Sequence, residues 1–125
     1  MPCRPPEDLA DRTFKFTCDT YDFCDELARL PGLPRRIAYQ LFDAAGSVGA
    51  NREEAQAAYS RLEFAAKTAI SLKECREARF WLRLTESKSL GDPTKRAQLL
   101  GESDQLIAIF TTIVKTLQVG GKKQT

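Results

Sequence analysis

The placement of proline does most to limit what this chain can fold into. Three of its six prolines fall within the first eight residues, and the others are Pro31, Pro34 and Pro93. Proline removes a backbone donor and breaks helices from within, so the long stretches it leaves untouched are free to be helical. In those stretches apolar residues recur at steps of three and four, and alternation of the strand type is almost absent. The pattern predicts an all-α chain of four helices, about 9–30, 34–55, 60–87 and 93–119, with a loose arm over 1–8 and a solvated tail over 120–125.

The spacing within each segment supports this division. Phe14, Cys18, Tyr21, Cys24 and Ala28 mark the first helix, which "PGLP" at 31–34 stops. Pro34 suits the first turn of the second helix, where a missing N–H costs nothing. Ile37, Ala38, Leu41, Phe42, Ala45 and Val48 form the apolar side of that helix. "LGDPT" ends the third, with Asp92 as N-cap and Pro93 as the first residue of the fourth. Leu99, Ser103, Leu106, Phe110, Ile113 and Leu117 then alternate steps of four and three, the spacing of a bundle seam, and Gly120 and Gly121 are expected to end it. Short connections between four such helices imply an antiparallel up-and-down bundle.

"SVGANREEAQAAYSRLEF", residues 47–64, is the least ordinary stretch. Gly46, Ser47 and Gly49 belong to a run of small residues inside a helical pattern, where each glycine costs about 1 kcal/mol relative to alanine. Close approach of a neighbouring backbone would account for them. A phosphate-cradling loop would need a strand before it and a Lys-Ser or Lys-Thr pair after it, and neither is present. Ser60 and Glu63 have the spacing of a capping box, the serine accepting from the Glu63 N–H and the carboxylate reaching back to Ser60. Asn51 has two readings: a cap at a break in the second helix, or a buried amide bonded to another helix.

Composition excludes several functions. With 19 Lys+Arg against 17 Asp+Glu the chain is close to neutral, unlike a strongly basic nucleic-acid binder. It has no histidine, and Cys3, Cys18, Cys24 and Cys75 lack the spacing of a zinc knuckle. Reduced thiols acting as small apolar groups are expected, with no metal and no cofactor. Ser60 lacks a neighbouring base, and the carboxylates Asp19, Asp22, Asp25 and Glu26 read as a solvated acidic face, so enzymatic activity is not expected. No stretch has the length of a membrane span and the amino end has no apolar leader, which points to the cytoplasm and to no membrane partner.

The third helix is apolar on two sides. At 100° per residue Leu62, Ala66, Ile70, Phe80, Trp81 and Leu84 fall on one side and Phe64, Cys75, Ala78 and Leu82 opposite. Arg61, Arg76, Arg79 and Arg83 line one flank, and Glu63, Glu74 and Glu77 the other. A helix with two apolar faces in so small a chain implies self-association. Opposite flanks of opposite charge suit a head-to-tail contact that can close a ring. The expected subunit interface is Phe64, Glu74, Glu77, Arg79, Leu82 and Arg83, with Phe64 and Leu82 as the apolar pair needing cover.

Residues 47–84 also resemble a known family, the bacterial four-helix bundle proteins named after the 23S ribosomal RNA intervening sequence. The similarity rests on "SVGAN" at Ser47 to Asn51, Glu54 with Ala55, Ser60, Lys73 with Glu74, and Trp81 with Leu82. The resemblance implies a nonenzymatic four-helix bundle that assembles into a homopentameric ring, a scaffold or adaptor whose own partner is unknown. A related fold serves as the accessory variability protein of diversity-generating retroelements, which binds RNA and a reverse transcriptase. That relation supplies the alternative, an RNA-binding accessory protein of a nucleic-acid enzyme, with Lys67, Lys73, Arg76, Arg79 and Arg83 as the binding residues. The near-neutral charge argues against it.

Overall fold

The structure, a computed structural model, describes residues 8–123, with side chains as far as residue 118. The expected arm, apart from Asp8, lies outside the described residues, as do the last two residues of the tail. The described chain forms four helices: α1 (Leu9–Leu27), α2 (Leu33–Gln56), α3 (Arg61–Ser87) and α4 (Pro93–Lys123). They are joined by the short segments 28–32, 57–60 and 88–92, which leave consecutive helices no course but to run antiparallel side by side. α2 packs against α1 and α3, α4 packs against α3, and a thinner α1–α4 contact closes the bundle. Among the described residues the backbones of α1 and α3 do not approach closely, so the two helices occupy opposite corners of the bundle.

Phe16, Phe23 and Leu27 of α1, Leu41 and Val48 of α2, Cys75, Ala78 and Leu82 of α3, and Leu99, Leu106 and Phe110 of α4 build one continuous core. Burial of such apolar side chains contributes about 1.5–3 kcal/mol each and is the main force holding the bundle. The α1–α4 seam is tied by polar groups. Arg12 donates to both carboxylate oxygens of Glu102, at 3.0 and 2.6 Å, and to Gln105 at 2.8 Å. Lys95 reaches Glu26 at 3.4 Å.

Six hydroxyl side chains, Thr13, Thr20, Thr68, Ser71, Thr85 and Ser103, are buried among these apolar groups. Most donate to a carbonyl of their own helix, as Thr20 does to Phe16 and Thr68 to Phe64, which removes the cost of an unpaired buried polar group. Ser71 instead crosses between helices, its Oγ donating to the Val48 carbonyl at 3.0 Å, and the half-buried Thr17 Oγ1 is shared between the Thr13 carbonyl of its own helix at 3.0 Å and the Ala45 carbonyl of α2 at 3.1 Å. The small residues of α2 thus let its backbone be gripped from both α1 and α3. Gly49 fits that purpose, since a Cβ there would sit 3.5 Å from the Thr13 carbonyl oxygen and the Thr17 hydroxyl. Gly46 does not, because a Cβ there would meet nothing within 4 Å.

The helix ends follow capping chemistry with some departures from expectation. α1 stops at Leu27 rather than near 30, as the N–H groups of Arg29 and Leu30 turn to the carbonyls three residues back. Gly32, at φ +81°, then redirects the chain into α2. Ser60 caps α3 by accepting from the Glu63 N–H at 3.0 Å, but the Glu63 carboxylate accepts from Tyr59, one residue earlier than a standard box. α3 ends in a Schellman motif: Leu90 N–H bonds the Thr85 carbonyl and Ser89 N–H the Glu86 carbonyl, with Ser89 at φ 55°. Asp92 caps α4 through bonds from the N–H groups of Thr94 and Lys95. α4 passes through Gly120 and Gly121 to Lys123, since glycine weakens a helix without obliging it to stop.

Neither reading of Asn51 holds. α2 is unbroken, and the half-buried Asn51 amide donates to the Ser47 carbonyl one turn back at 2.9 Å.

Candidate interaction faces

α3 does carry two apolar sides, but the core takes the opposite one from that expected. Phe64, Thr68, Ser71, Cys75, Ala78, Leu82 and Thr85 follow one another at steps of four and three on the inner side. Leu82 is completely buried, so it is withdrawn from the expected interface and belongs to the core. Phe64 is half-buried under the Arg52 guanidinium, which lies 6.0 Å from the ring centroid and whose Nε has no hydrogen-bond partner among the described residues. The solvent side instead carries Leu62 at 81 % exposure, Ile70, and Phe80 at 57 %, with Ala66 and Lys73 between them. Phe80 meets the half-buried Trp81 edge to face, centroids 5.1 Å apart. The larger side chains turned outward because α2 and α4 close tightly on α3, and small and hydroxyl residues fit that space.

The charged flanks of α3 face different neighbours. Arg79 is held by Asp104 of α4 at 2.6 Å, and Lys67 by Glu54 of α2 at 2.7 Å. The Glu54 hydrogen bond, with its charge, keeps the Lys67 ammonium above its ordinary range. Two of the cations expected to meet RNA, one of them also expected at a subunit contact, therefore have partners within the chain. Lys73, Arg76 and Arg83 are exposed, and none has an ion pair among the described residues. On the other flank Glu77 accepts from the Trp81 indole at 3.4 Å. Partial burial, and then the charge of Glu77, hold the Glu74 carboxyl above the usual range, with Lys73 acting in the opposite direction.

A second apolar surface, not anticipated as such, runs along α1 and α2. Phe14 is 67 % exposed, and Tyr21 and Tyr39 are also largely open. Tyr21 packs edge to face on Phe42, with centroids 5.8 Å apart. Two hollows lie along this surface. One of about 180 Å³ is lined by Phe14, Thr17, Gly46, Gly49, Ala50 and Glu53, and one of about 130 Å³ by Tyr21, Asp25, Ala28, Tyr39 and Phe42. The glycines expected to admit a neighbouring helix therefore also open a recess at the surface. A larger hollow of about 460 Å³ separates the start of α3 from the end of α4, between Arg61, Leu62, Ala65 and Ala69 on one side and Val114 and Leu117 on the other.

Two of the four thiols, Cys24 and Cys75, are placed as apolar groups, and Cys3 lies outside the described residues. Burial pushes Cys24 and Cys75 up to about 12, where neither is a thiolate at physiological pH, and Cys18 is exposed on α1. Among the described residues no group of His, Cys, Asp and Glu side chains is arranged to hold a metal ion. No helix of the described residues is long and apolar enough to cross a membrane.

The model of the 23S rRNA-intervening sequence protein family matches residues 8–112, from the cap of α1 to the third quarter of α4. The fold is similar to the crystal structure of a Bacteroides thetaiotaomicron protein of unknown function from the S23 ribosomal protein family. The two share 23% sequence identity at a TM-score of 0.76, over 86% of this chain and 99% of the other. No functionally curated protein matches the sequence.

Proposed function

The chain belongs to the 23S rRNA-intervening sequence protein family, and from that membership and the open face of α3 we propose that it is a nonenzymatic homo-oligomeric scaffold. The observation that carries the proposal is the solvent side of α3. Leu62, Ile70 and Phe80 stand exposed on a bundle whose core is already filled by the opposite side of the same helix. A contiguous exposed apolar patch marks a contact surface, and Ala66 and the Phe80–Trp81 pair extend these residues along the helix. Five copies is the number implied by resemblance to the family, and a ring is the form that a head-to-tail contact closes into.

The chemistry of the interior supports a structural role. Serine and threonine hydroxyls within the bundle donate to backbone carbonyls, and the hollow of about 460 Å³ between α3 and α4 is lined by a single charged side chain, Arg61. The RNA-binding alternative draws on Lys73, Arg76 and Arg83 alone, since Lys67 and Arg79 are neutralised by Glu54 and Asp104. Three cations release few counterions, so such binding would be weak and salt-sensitive.

Native mass spectrometry and light scattering across micromolar concentrations test the proposal. A closed oligomer is expected, with five copies the leading number. A monomer throughout that range would refute it. Tight binding to a structured RNA at physiological salt would move the assignment to the alternative.

A further inference from the structure

We infer that the hollow between the start of α3 and the end of α4 is a binding site for a medium-chain fatty acid, with its carboxylate on Arg61 and its alkyl chain along the apolar walls. The inference goes beyond the homo-oligomeric reading above and does not rest on it.

Residue size makes the site. Nearer the middle of the bundle α3 and α4 are close enough for the Cys75 thiol to donate to the Ser103 carbonyl at 3.7 Å. Towards the start of α3 the side that faces α4 carries Ala65 and Ala69, whose methyl groups are too short to fill the space between the helices. About 460 Å³ is left between these alanines and Val114 and Leu117 of α4. Small-molecule sites typically have volumes of about 300–1,000 Å³ and walls of the same kind, mostly apolar with a few polar groups.

The lining selects the ligand. The side chains of Leu62, Ala65, Ala69, Val114 and Leu117 are aliphatic and offer no hydrogen bond, so the part of the ligand they touch is hydrocarbon. No aromatic ring among the described residues lines the hollow to stack on a planar ligand, which favours an alkyl chain. From Arg61 to Ala69 the α3 wall is about 12 Å long at 1.5 Å per residue, which suits an extended medium chain and not a short acid such as acetate.

The polar groups gather at one end, where Arg61 of α3 meets Gln118 of α4. One guanidinium nitrogen donates to the Leu117 carbonyl at 3.3 Å. That long bond uses one of five N–H donors, and Arg61 has no ion pair among the described residues. A guanidinium so placed takes a carboxylate as a bidentate pair, and the Gln118 amide supplies a further donor. The nearby charges agree in sign. Lys67 is neutralised by Glu54, Lys115 is exposed, and the Glu63 carboxylate accepts from the Tyr59 N–H. None of the described residues lining the hollow is acidic. A single cation at the end of an apolar channel matches a monocarboxylate, whereas a nucleic acid takes several.

Titration of the full chain with decanoate tests the site, read by calorimetry and by methyl NMR. Saturable binding of one decanoate per chain is expected, moving the methyl signals of Leu62, Val114 and Leu117 and leaving those of the core residues Leu82 and Leu106 in place. Decanol should bind the wild type about ten-fold more weakly than decanoate, because it lacks the charge-assisted pair. Arg61→Gln should lose that preference and bind the two alike. Ala69→Leu fills the hollow from an exposed position and should abolish binding, while Ala66→Leu, exposed and outside the lining, should leave it unchanged. Circular dichroism checks that each variant is folded. No saturable binding to the wild type, binding that survives Ala69→Leu, or equal affinity of the wild type for decanoate and decanol would overturn the inference.

Discussion

Replacing Gly91 by alanine tests how the α3–α4 connection is built. Gly91 has φ +77°, a conformation in which an L side chain costs about 1–2 kcal/mol. It is also pressed against the core, since a Cβ there would lie 2.6 Å from Cε1 and 2.7 Å from Cζ of Phe23. Phe23 is buried and cannot swing into solvent, so the ring or the connection must shift, an overpacking cost of about 1–3 kcal/mol. Alanine recovers about 0.4–1 kcal/mol by restricting the unfolded chain. The net loss is about 2–3 kcal/mol, which lowers the urea midpoint by about 1–2 M for a typical slope. Two other glycines separate the components. Gly32→Ala meets the same backbone strain at φ +81° with nothing within 4 Å, and should lose about 1 kcal/mol or less. Gly101→Ala, exposed within α4 and unobstructed, should gain about 0.5–1 kcal/mol. Urea unfolding followed by circular dichroism at one fixed protein concentration measures all three. Equal losses for Gly91→Ala and Gly32→Ala would refute the contact with Phe23.

Four further outcomes follow from the same geometry. Leu82→Ala should cost about 2–5 kcal/mol of stability as a core cavity, whereas Leu62→Ala should leave the unfolding of the monomer nearly unchanged and weaken assembly, which calorimetry and light scattering separate. Ser60→Ala should lose about 1 kcal/mol by uncapping α3, read as a lower urea midpoint. In a Cys3→Ser, Cys18→Ser variant, Cys24 and Cys75 should resist Ellman's reagent at pH 8 until urea unfolds the bundle, as burial holds both thiols near 12. The Asp92 carboxylate is held below its usual range first by the Lys95 N–H, aided by the Thr94 N–H and by the charges of Lys95 and Arg96. The cap's ionic contribution is therefore present above about pH 4, the unfolded value, and is lost as pH falls through the lower folded one, so the stability gap between wild type and Asp92→Asn should narrow there.

Much of the fold could be read in the sequence because helix breaks and caps are local. Pro31, Pro34 and Pro93 act through their own backbone, and Ser60 and Asp92 bond to N–H groups two or three residues away, so the linear text contains both partners. The two apolar sides of α3 were equally legible, since they depend only on 100° per residue. Which side would be buried was not. That choice depends on how closely α2 and α4 approach α3, and the close approach favours Ala78, Ser71 and Thr68 inside over Phe80 and Ile70. Hydropathy ranks those residues the other way round. The buried hydroxyls of Thr68, Ser71 and Thr85 complete, with Cys75, Ala78 and Leu82, a four-three repeat on the inner side of α3, a signal visible in the sequence only if polar hydroxyls are counted as core.

The charged residues divide along the same line. The sequence by itself determined that α3 has a basic and an acidic flank, because side chains three and four apart share a helix face. Only the tertiary structure decided that Arg79 belongs to Asp104 and Lys67 to Glu54, and that Lys73, Arg76 and Arg83 stay open. Those partners lie on other helices, brought within reach by a bundle geometry that is set by the packing of all four. Helix number, boundaries and periodicity are properties of neighbours in the chain. The inner face, the pairing of charges and the surfaces left for another copy are properties of neighbours in space.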